Sequence, residues 1–325
     1  MAPPQNFPPD SPHCSDGRLA LTHGHTMYWQ DSGPSGGQPV LLLHGGPGSA
    51  SSAALIQQAT SAAGHRVIAF DQRGCGQSTP RGHTGDNTTG HLVQDIEALR
   101  THLNITRWLV VGGSWGATLA MAYAAQCPQA VSGLLLRGLF VPSEAQLAWF
   151  FGGTAPLFPQ AWARFSGAAP DSSAQGMVRW LAQVFGQGPR EQQEQVTHDW
   201  LFWEQSLGGI LPSPRQVGDA LAAAVDRYRV HAHFLAHACW LGQQGLLQAG
   251  ARIGAIPTLF LHGRNDQVCM ASAAMEVHRA SKGSHWQWVE GAGHDPFHPA
   301  MVAAMTDALR SHASHAAFCE RQVPA

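Results

Sequence analysis

Lysine is almost absent. Lys282 is the one lysine in 325 residues, and charged residues of every kind make up only 12% of the chain. With a formal net charge of −2, the composition offers no basic surface for nucleic acid or for an anionic membrane. Cysteine is sparse and unpatterned. Cys14, Cys75, Cys127, Cys239, Cys269 and Cys319 form no CxxC pair, which in a chain this long argues against a disulfide framework and for reduced thiols in the cytoplasm. Long apolar runs are missing too, so no segment reaches membrane-spanning length. The start, MAPPQNFPPDSPHCSDG, lacks the basic and apolar stretches of a signal peptide. Histidine, by contrast, is abundant: nineteen residues make the true charge unusually dependent on pH. Hydrophobic residues reach 44%, and the length suits one large domain carrying an inserted subdomain.

Short apolar runs alternate with helical patterns. Pro39 to His44, Arg66 to Asp71, Trp108 to Gly112, Val131 to Arg137 and Ile256 to His262 read as strands buried on both faces, and His285 to Glu290 as a further one. Between them, His91 to Leu103, Trp115 to Ala125, Ala271 to Ser281 and Ala300 to Ser311 carry apolar residues at helical spacing. This alternation predicts an α/β fold, a mostly parallel central sheet covered by helices. Leu19 to Asp31, centred on His23-Gly24-His25, reads as an antiparallel hairpin at the leading edge. The alternation stops near Phe140 and resumes near Ile256. The expected organisation is therefore a core of residues 1–140 and 251–325 interrupted by a helical cap, residues 141–250, rich in Trp, Phe, Ala and Gln.

Ligands of open parallel sheets gather at the carboxyl ends of the strands. Gly112-Gly-Ser-Trp-Gly116 follows one strand and opens a helix, the setting of a nucleophile elbow, where glycines leave room for a sharp, strained turn and expose the Ser114 hydroxyl. A serine that merely caps a helix would look the same over five residues, so partners decide. A hydroxyl nucleophile needs a base, and the base an orienting group. Asp266 stands just past the strand from Ile256, and His294 just past the strand from His285, in a loop of small residues. The order Ser114, Asp266, His294 is that of α/β-hydrolases. His298 competes with His294 but falls at the entry to the final helix. His44-Gly-Gly-Pro-Gly48 supplies the missing oxyanion donors: the N–H groups of Gly46 and Trp115 are expected to face a tetrahedral oxyanion, with Gly45 the weaker candidate.

HGGPG, Asp71-Gln-Arg-Gly-Cys-Gly-Gln-Ser-Thr-Pro80, Asn87-Thr-Thr, GGSWG, Leu136-Arg-Gly-Leu-Phe140 and His262-Gly-Arg-Asn-Asp266 together resemble the proline iminopeptidases, α/β-hydrolases that release N-terminal proline from peptides. The resemblance runs from about Leu19 to the His294 loop. It implies Ser114, Asp266 and His294 as catalytic residues and no cofactor or metal. Cys269 matches a cysteine near the family's site, which implies sensitivity to thiol reagents; the alternative is a buried, inert thiol.

In that family two cap glutamates hold the substrate's amine, and a carboxylate pair compensates a desolvated ammonium well. Glu204, in Asp199-Trp-Leu-Phe-Trp-Glu204, matches the first. The second is missing: the matching stretch, Tyr228-Arg-Val-His-Ala-His-Phe-Leu235, places His231 there. Losing a buried charge partner costs about 2–5 kcal/mol of recognition. Asp226 is a candidate to compensate. Phe140 and Arg137 keep the family's pattern in the substrate pocket, while Phe151 and Leu235 stand where a tyrosine and a phenylalanine are expected.

Three readings follow. The first is a serine aminopeptidase acting on small peptides or amino-acid amides through an acyl-enzyme. The second is a hydrolase of the same fold whose specificity has drifted to esters, amides or lactones without a free amine. The third, a non-catalytic binding protein, sits poorly with an intact Ser114, Asp266 and His294. Epoxide hydrolases and haloalkane dehalogenases would want an aspartate at position 114.

Overall fold

The apolar runs become strands because burial on both faces rewards them at every position. In the computed structural model, which describes residues 12–211 and 213–318, all six residues of Thr258–Gly263 and five of the six of Trp108–Gly113 are buried. Among the described residues the strands are β1 (Pro12–Ala20), β2 (Thr26–Pro34), β3 (Pro39–Leu43), β4 (Arg66–Phe70), β5 (Trp108–Gly113), β6 (Val131–Arg137), β7 (Thr258–Gly263) and β8 (His285–Val289). They form one sheet in the order β1-β2-β4-β3-β5-β6-β7-β8. Only β1–β2 and β2–β4 pair antiparallel; every pairing from β4 to β8 is parallel.

Helices cover both faces. α1 (Ala53–Ala63), α2 (Thr89–His102) and α3 (Trp115–Gln126) alternate with the first strands, and α10 (Ala271–Ala280) and α11 (Pro299–His315) with the last. Side-chain caps start several of them: Ser52 accepts from Leu55 N and Thr88 from His91 N. α3 shows no amphipathic stripe because ten of its residues are buried, which makes it the central helix of the main core with Trp108, Trp115 and Tyr123. A second apolar cluster, including Ile56, Met301 and Leu309, fills the opposite face under α1 and α11.

Between β6 and β7 lie α4 (Glu144–Ala148), α5 (Pro159–Ser166), α6 (Ala174–Gln187), α7 (Arg190–Gly208), α8 (Gly218–Ala236) and α9 (Gly242–Arg252). Phe151, Phe165, Trp200, Trp203 and Tyr228 give most of this segment a core of its own. α9 packs instead on α3 and α10, and its Leu246 joins the main core.

The hairpin is longer than the pattern predicts, reaching back from Leu19 to Pro12. As an edge strand, β1 tolerates proline and carries exposed polar residues that give no buried-strand signal. β7 begins at Thr258 rather than Ile256, because Ile256 N turns back to Ile253 O and Pro257 has no N–H to give the ladder. The first eleven residues, Cys319 and most of the tail that follows α11 lie outside the described residues.

Candidate active site

Strand register brings the chemistry level. Leu43 pairs with Gly112, Gly113 with Arg137, Arg137 with Leu261 and Gly263 with Val289, so the loops after β3, β5, β6, β7 and β8 emerge along one edge of the sheet. Ser114 occupies the turn from β5 into α3 with φ 56° and ψ −123°, a backbone state that non-glycine residues rarely hold. The turn is tight: a Cβ on Gly112 would sit 2.3 Å from Gly116 O, and one on Gly116 would sit 2.1 Å from Leu43 O. Ser114 stands at the N-cap of α3, yet its hydroxyl makes no capping bond. That separates it from an ordinary helix cap. Its polar contact is the Cys269 thiol, 3.9 Å away.

His294 and Asp266 meet across the β7 and β8 loops. His294 Nδ1 lies 2.7 Å from Asp266 Oδ2, while Asp266 Oδ1 accepts the backbone N–H groups of Val268 and Cys269, each at 2.9 Å. A carboxylate so placed makes Nδ1 the donor and leaves Nε2 free to take a proton. Burial alone would raise the Asp266 pKa. The facing His294, His262 at 3.8 Å and the Cys269 N–H outweigh burial and hold the carboxyl below its usual range. Two neighbours take roles here that no sequence pattern assigns. Gly138 has φ +52°, and a Cβ there would come within 3.2 Å of both Asp266 Oδ2 and His294 Nδ1. Arg137 Nη1 donates to His294 O at 2.6 Å, so a residue expected to bind substrate also anchors the histidine loop. The competitor His298 caps α11, accepting from Ala300 N at 3.3 Å.

The HGGPG loop is buttressed from below. Gln72 N donates to His44 Nε2 at 3.0 Å, which makes His44 a neutral Nδ1–H tautomer able to donate to Gly45 O, also 3.0 Å away. Burial lowers the His44 pKa in keeping with this. The Gln72 amide then bridges His44 O at 2.9 Å and the Trp115 indole at 2.9 Å, tying the loop to the elbow. Gly46 needs its φ of +116°, and both Gly45 and Gly46 line the same cavity as Ser114 and His294.

That cavity holds about 400 Å³ and is covered by residues of α4, the turn after it, α7 and α8. Phe140, Phe151 and Leu235 supply apolar wall, and Arg137, Glu204 and His231 also reach it. Cys269 does not line it. Burial and the nearby Asp266 push its thiol pKa well up, so the thiolate that alkylating reagents need is suppressed, against the expected sensitivity. Asp226 does not compensate for His231 either. It pairs with Arg229 at 2.6 Å and packs against Gly82, outside the cavity.

Glu204 is instead met by two residues that the sequence reading passed over. Arg227 Nη2 donates to Glu204 Oε2 at 2.8 Å, and the Tyr228 hydroxyl donates to the same oxygen at 2.9 Å. Arg227 and His231 are four residues apart on α8 and share a face, a helical spacing that could have flagged Arg227. One group among the described residues, His23, Asp86 and His91, has donors close enough to suit a metal ion, and none of the three lines the cavity.

The alpha/beta hydrolase fold family matches residues 38–300. A probable proline iminopeptidase from Leptolyngbya boryana is 35% identical over 309 residues, covering 94% of this chain and 95% of its own. A proline iminopeptidase from Arabidopsis thaliana is also 35% identical, over 92% of this chain and 80% of its own. Among solved structures, a proline iminopeptidase from Mycobacterium smegmatis superposes with a TM-score of 0.64 at 18% identity, over 93% of this chain and all of its own. A haloalkane dehalogenase loop variant from Bradyrhizobium elkanii gives the same TM-score at 20% identity, over 94% and 97%. At those identities the structural likeness speaks to the fold alone.

Proposed function

The chain belongs to the proline iminopeptidase family of α/β-hydrolases, and from that membership we propose that it is a serine aminopeptidase releasing N-terminal proline, or another small N-terminal residue, from peptides and amino-acid amides. Ser114 Oγ attacks the carbonyl carbon of the N-terminal residue while His294 Nε2 takes its proton. Asp266 holds the resulting imidazolium. The N–H groups of Gly46 and Trp115 receive the oxyanion. Collapse breaks the C–N bond, and His294 returns the proton to the departing amine. Water, deprotonated by His294, then attacks the acyl-enzyme and frees the amino acid and Ser114.

One observation carries this reading: a histidine oriented by a buried aspartate at 2.7 Å shares a cavity with a serine hydroxyl that caps no helix. Proline β-naphthylamide, an N-blocked proline amide and a short p-nitrophenyl ester, each with a Ser114→Ala control, test it. Turnover of the free-amine proline amide supports the reading. Ester turnover with no imino-peptidase activity moves the assignment to a hydrolase of drifted specificity, which the pairing of Glu204 with Arg227 favours. No Ser114-dependent turnover at all leaves a binding protein.

The organisation proposed with it, a core of residues 1–140 and 251–325 around an inserted cap of 141–250, rests on where the parallel strands stop and resume, with α9 as the part that returns to the sheet. Among the described residues no helix is long and apolar enough to cross a membrane. The five cysteines among the described residues are free, which suits the cytoplasmic address proposed for the chain.

A further inference from the structure

Four polar side chains from two helices cluster at the cap side of the cavity, and three of them, Glu204, Arg227 and His231, line it. Glu204 comes from α7, and Arg227, Tyr228 and His231 come from α8. Both Arg227 and Tyr228 donate to one oxygen of Glu204, Oε2. The other, Oε1, stands 3.6 Å from His231 Nδ1, which is buried and has no hydrogen-bond partner. The Arg227 guanidinium also lies over the Tyr228 ring, 5.1 Å from its centre. Its backbone presses on the HGGPG loop, where a Cβ on Gly48 would fall 2.2 Å from Arg227 O. The cation is therefore a built part of the site.

The charges at this end cancel. Burial, reinforced by Arg227, pushes the His231 pKa down to about 3, and burial pushes the Tyr228 phenol well up, so neither carries charge near neutrality. What remains is one carboxylate against one guanidinium. An ammonium entering beside Glu204 is attracted by the carboxylate and repelled by the guanidinium that stands 2.8 Å from it, and in a part-buried site those opposed terms are large. An uncharged group loses nothing by the same cancellation.

We propose that Arg227 is a specificity-determining residue: by occupying Glu204 Oε2 it makes the polar end of the acyl pocket electroneutral, so that the enzyme accepts small cyclic acyl groups lacking a charged nitrogen nearly as well as prolyl groups. The proposal rests on the aminopeptidase reading of this cavity. The substrate class it adds is the amide or ester of a compact, uncharged carboxylic acid, held by Phe140, Phe151 and Leu235.

The test compares proline p-nitroanilide with cyclopentanecarboxylic acid p-nitroanilide, which replaces the ring nitrogen by carbon without adding bulk. The same two acyl groups are compared as benzyl esters. Wild-type enzyme is expected to prefer the prolyl substrate by no more than about tenfold in kcat/KM, against the hundredfold or more that an uncompensated buried charge pair supports. Arg227→Gln keeps a donor for Glu204 but removes the charge, and raises that preference at least about tenfold; Arg227→Lys leaves it near wild type. Arg229→Gln, which removes an equal charge from the same helix outside the cavity, also leaves it unchanged. A wild-type preference above about a hundredfold, or no change in Arg227→Gln, overturns the proposal, and the first of these needs no variant to fold. If neither anilide is cleaved while the esters are, the aminopeptidase reading falls on its own, and the ester pair still reads the role of Arg227.

Discussion

His294 Nδ1 stands 2.7 Å from Asp266 Oδ2, and Gly138 fills the space behind both so closely that a single methyl there would lie 3.2 Å from each. The pair is held from three strand ends at once: β7 supplies the acid, β8 the base, and β6 the glycine that leaves room for them. Replacing Asp266 by Asn keeps the shape but turns an acceptor into a group that favours the wrong imidazole tautomer. We expect kcat to fall by about 10⁴ in a variant that still folds, as Ser114→Ala should also do. A loss of less than about tenfold in Asp266→Asn would show that His294 does not depend on this carboxylate.

Gly138→Ala probes the same relationship from behind. With φ at +52°, any side chain is strained, and the added methyl meets the Asp266–His294 pair rather than empty space. The expected result is a stability loss of about 1 kcal/mol or more together with a drop in kcat larger than any rise in KM. A variant that loses stability but keeps kcat would show that the glycine serves the turn alone.

The parallel strands and the residues at their ends were legible in the sequence because burial on both faces and glycine-rich turns leave strong local marks. Ser114, Asp266 and His294 are each found one turn past an apolar run. What stayed hidden is relational. Gly138 matters through two loops distant in sequence, Arg137 through its bond to His294 O, and Arg227 through a carboxylate on another helix. Helical spacing can put Arg227 on the face of His231, but it does not announce the carboxylate that meets it from another helix. The low reactivity expected of Cys269 was hidden for the same reason, since the burial and the carboxylate that raise its thiol pKa both come from folding.

Cys269 gives a direct check. Its thiol is buried, with burial and then Asp266 raising its pKa, whereas Cys14 is exposed. Brief treatment of native enzyme with iodoacetamide, followed by peptide mapping, should label Cys14 and spare Cys269, with activity retained. Stoichiometric labelling of Cys269 without unfolding would contradict the structure of this loop.

Acid sensitivity follows from the buried histidines. His25, His44, His65, His198, His231, His262 and His312 are all buried, and in each case burial leads the causes that lower the pKa from 6.5. A histidine whose folded pKa is depressed binds fewer protons folded than unfolded. Its contribution is therefore intact above 6.5 and is lost as pH falls through that value, down to about 3 for His231. The depressed Asp266 carboxyl acts in the same direction at still lower pH. Thermal unfolding should show a melting temperature that falls steadily from about pH 7 to about pH 4, with net proton uptake on unfolding. A flat profile across that window would mean that these rings reach water or a partner when charged.

His231→Glu tests the polar end of the cavity from the side opposite Arg227. His231 is neutral near pH 7 because its pKa lies at about 3, so the substitution adds a full negative charge where none stood. The new carboxylate would face Glu204 across a gap now 3.6 Å wide, with Arg227 beside both, and the net charge of this end would pass from zero to −1. That sign favours an ammonium. The gain is expected in KM first, because the amine is bound equally in ground and transition states, giving about a tenfold rise in kcat/KM for proline p-nitroanilide. The cyclopentanecarboxylic analogue, with no charge to reward, should gain nothing. Equal change for both substrates would show that residue 231 does not face the substrate's nitrogen; a rise confined to the prolyl substrate would place it there.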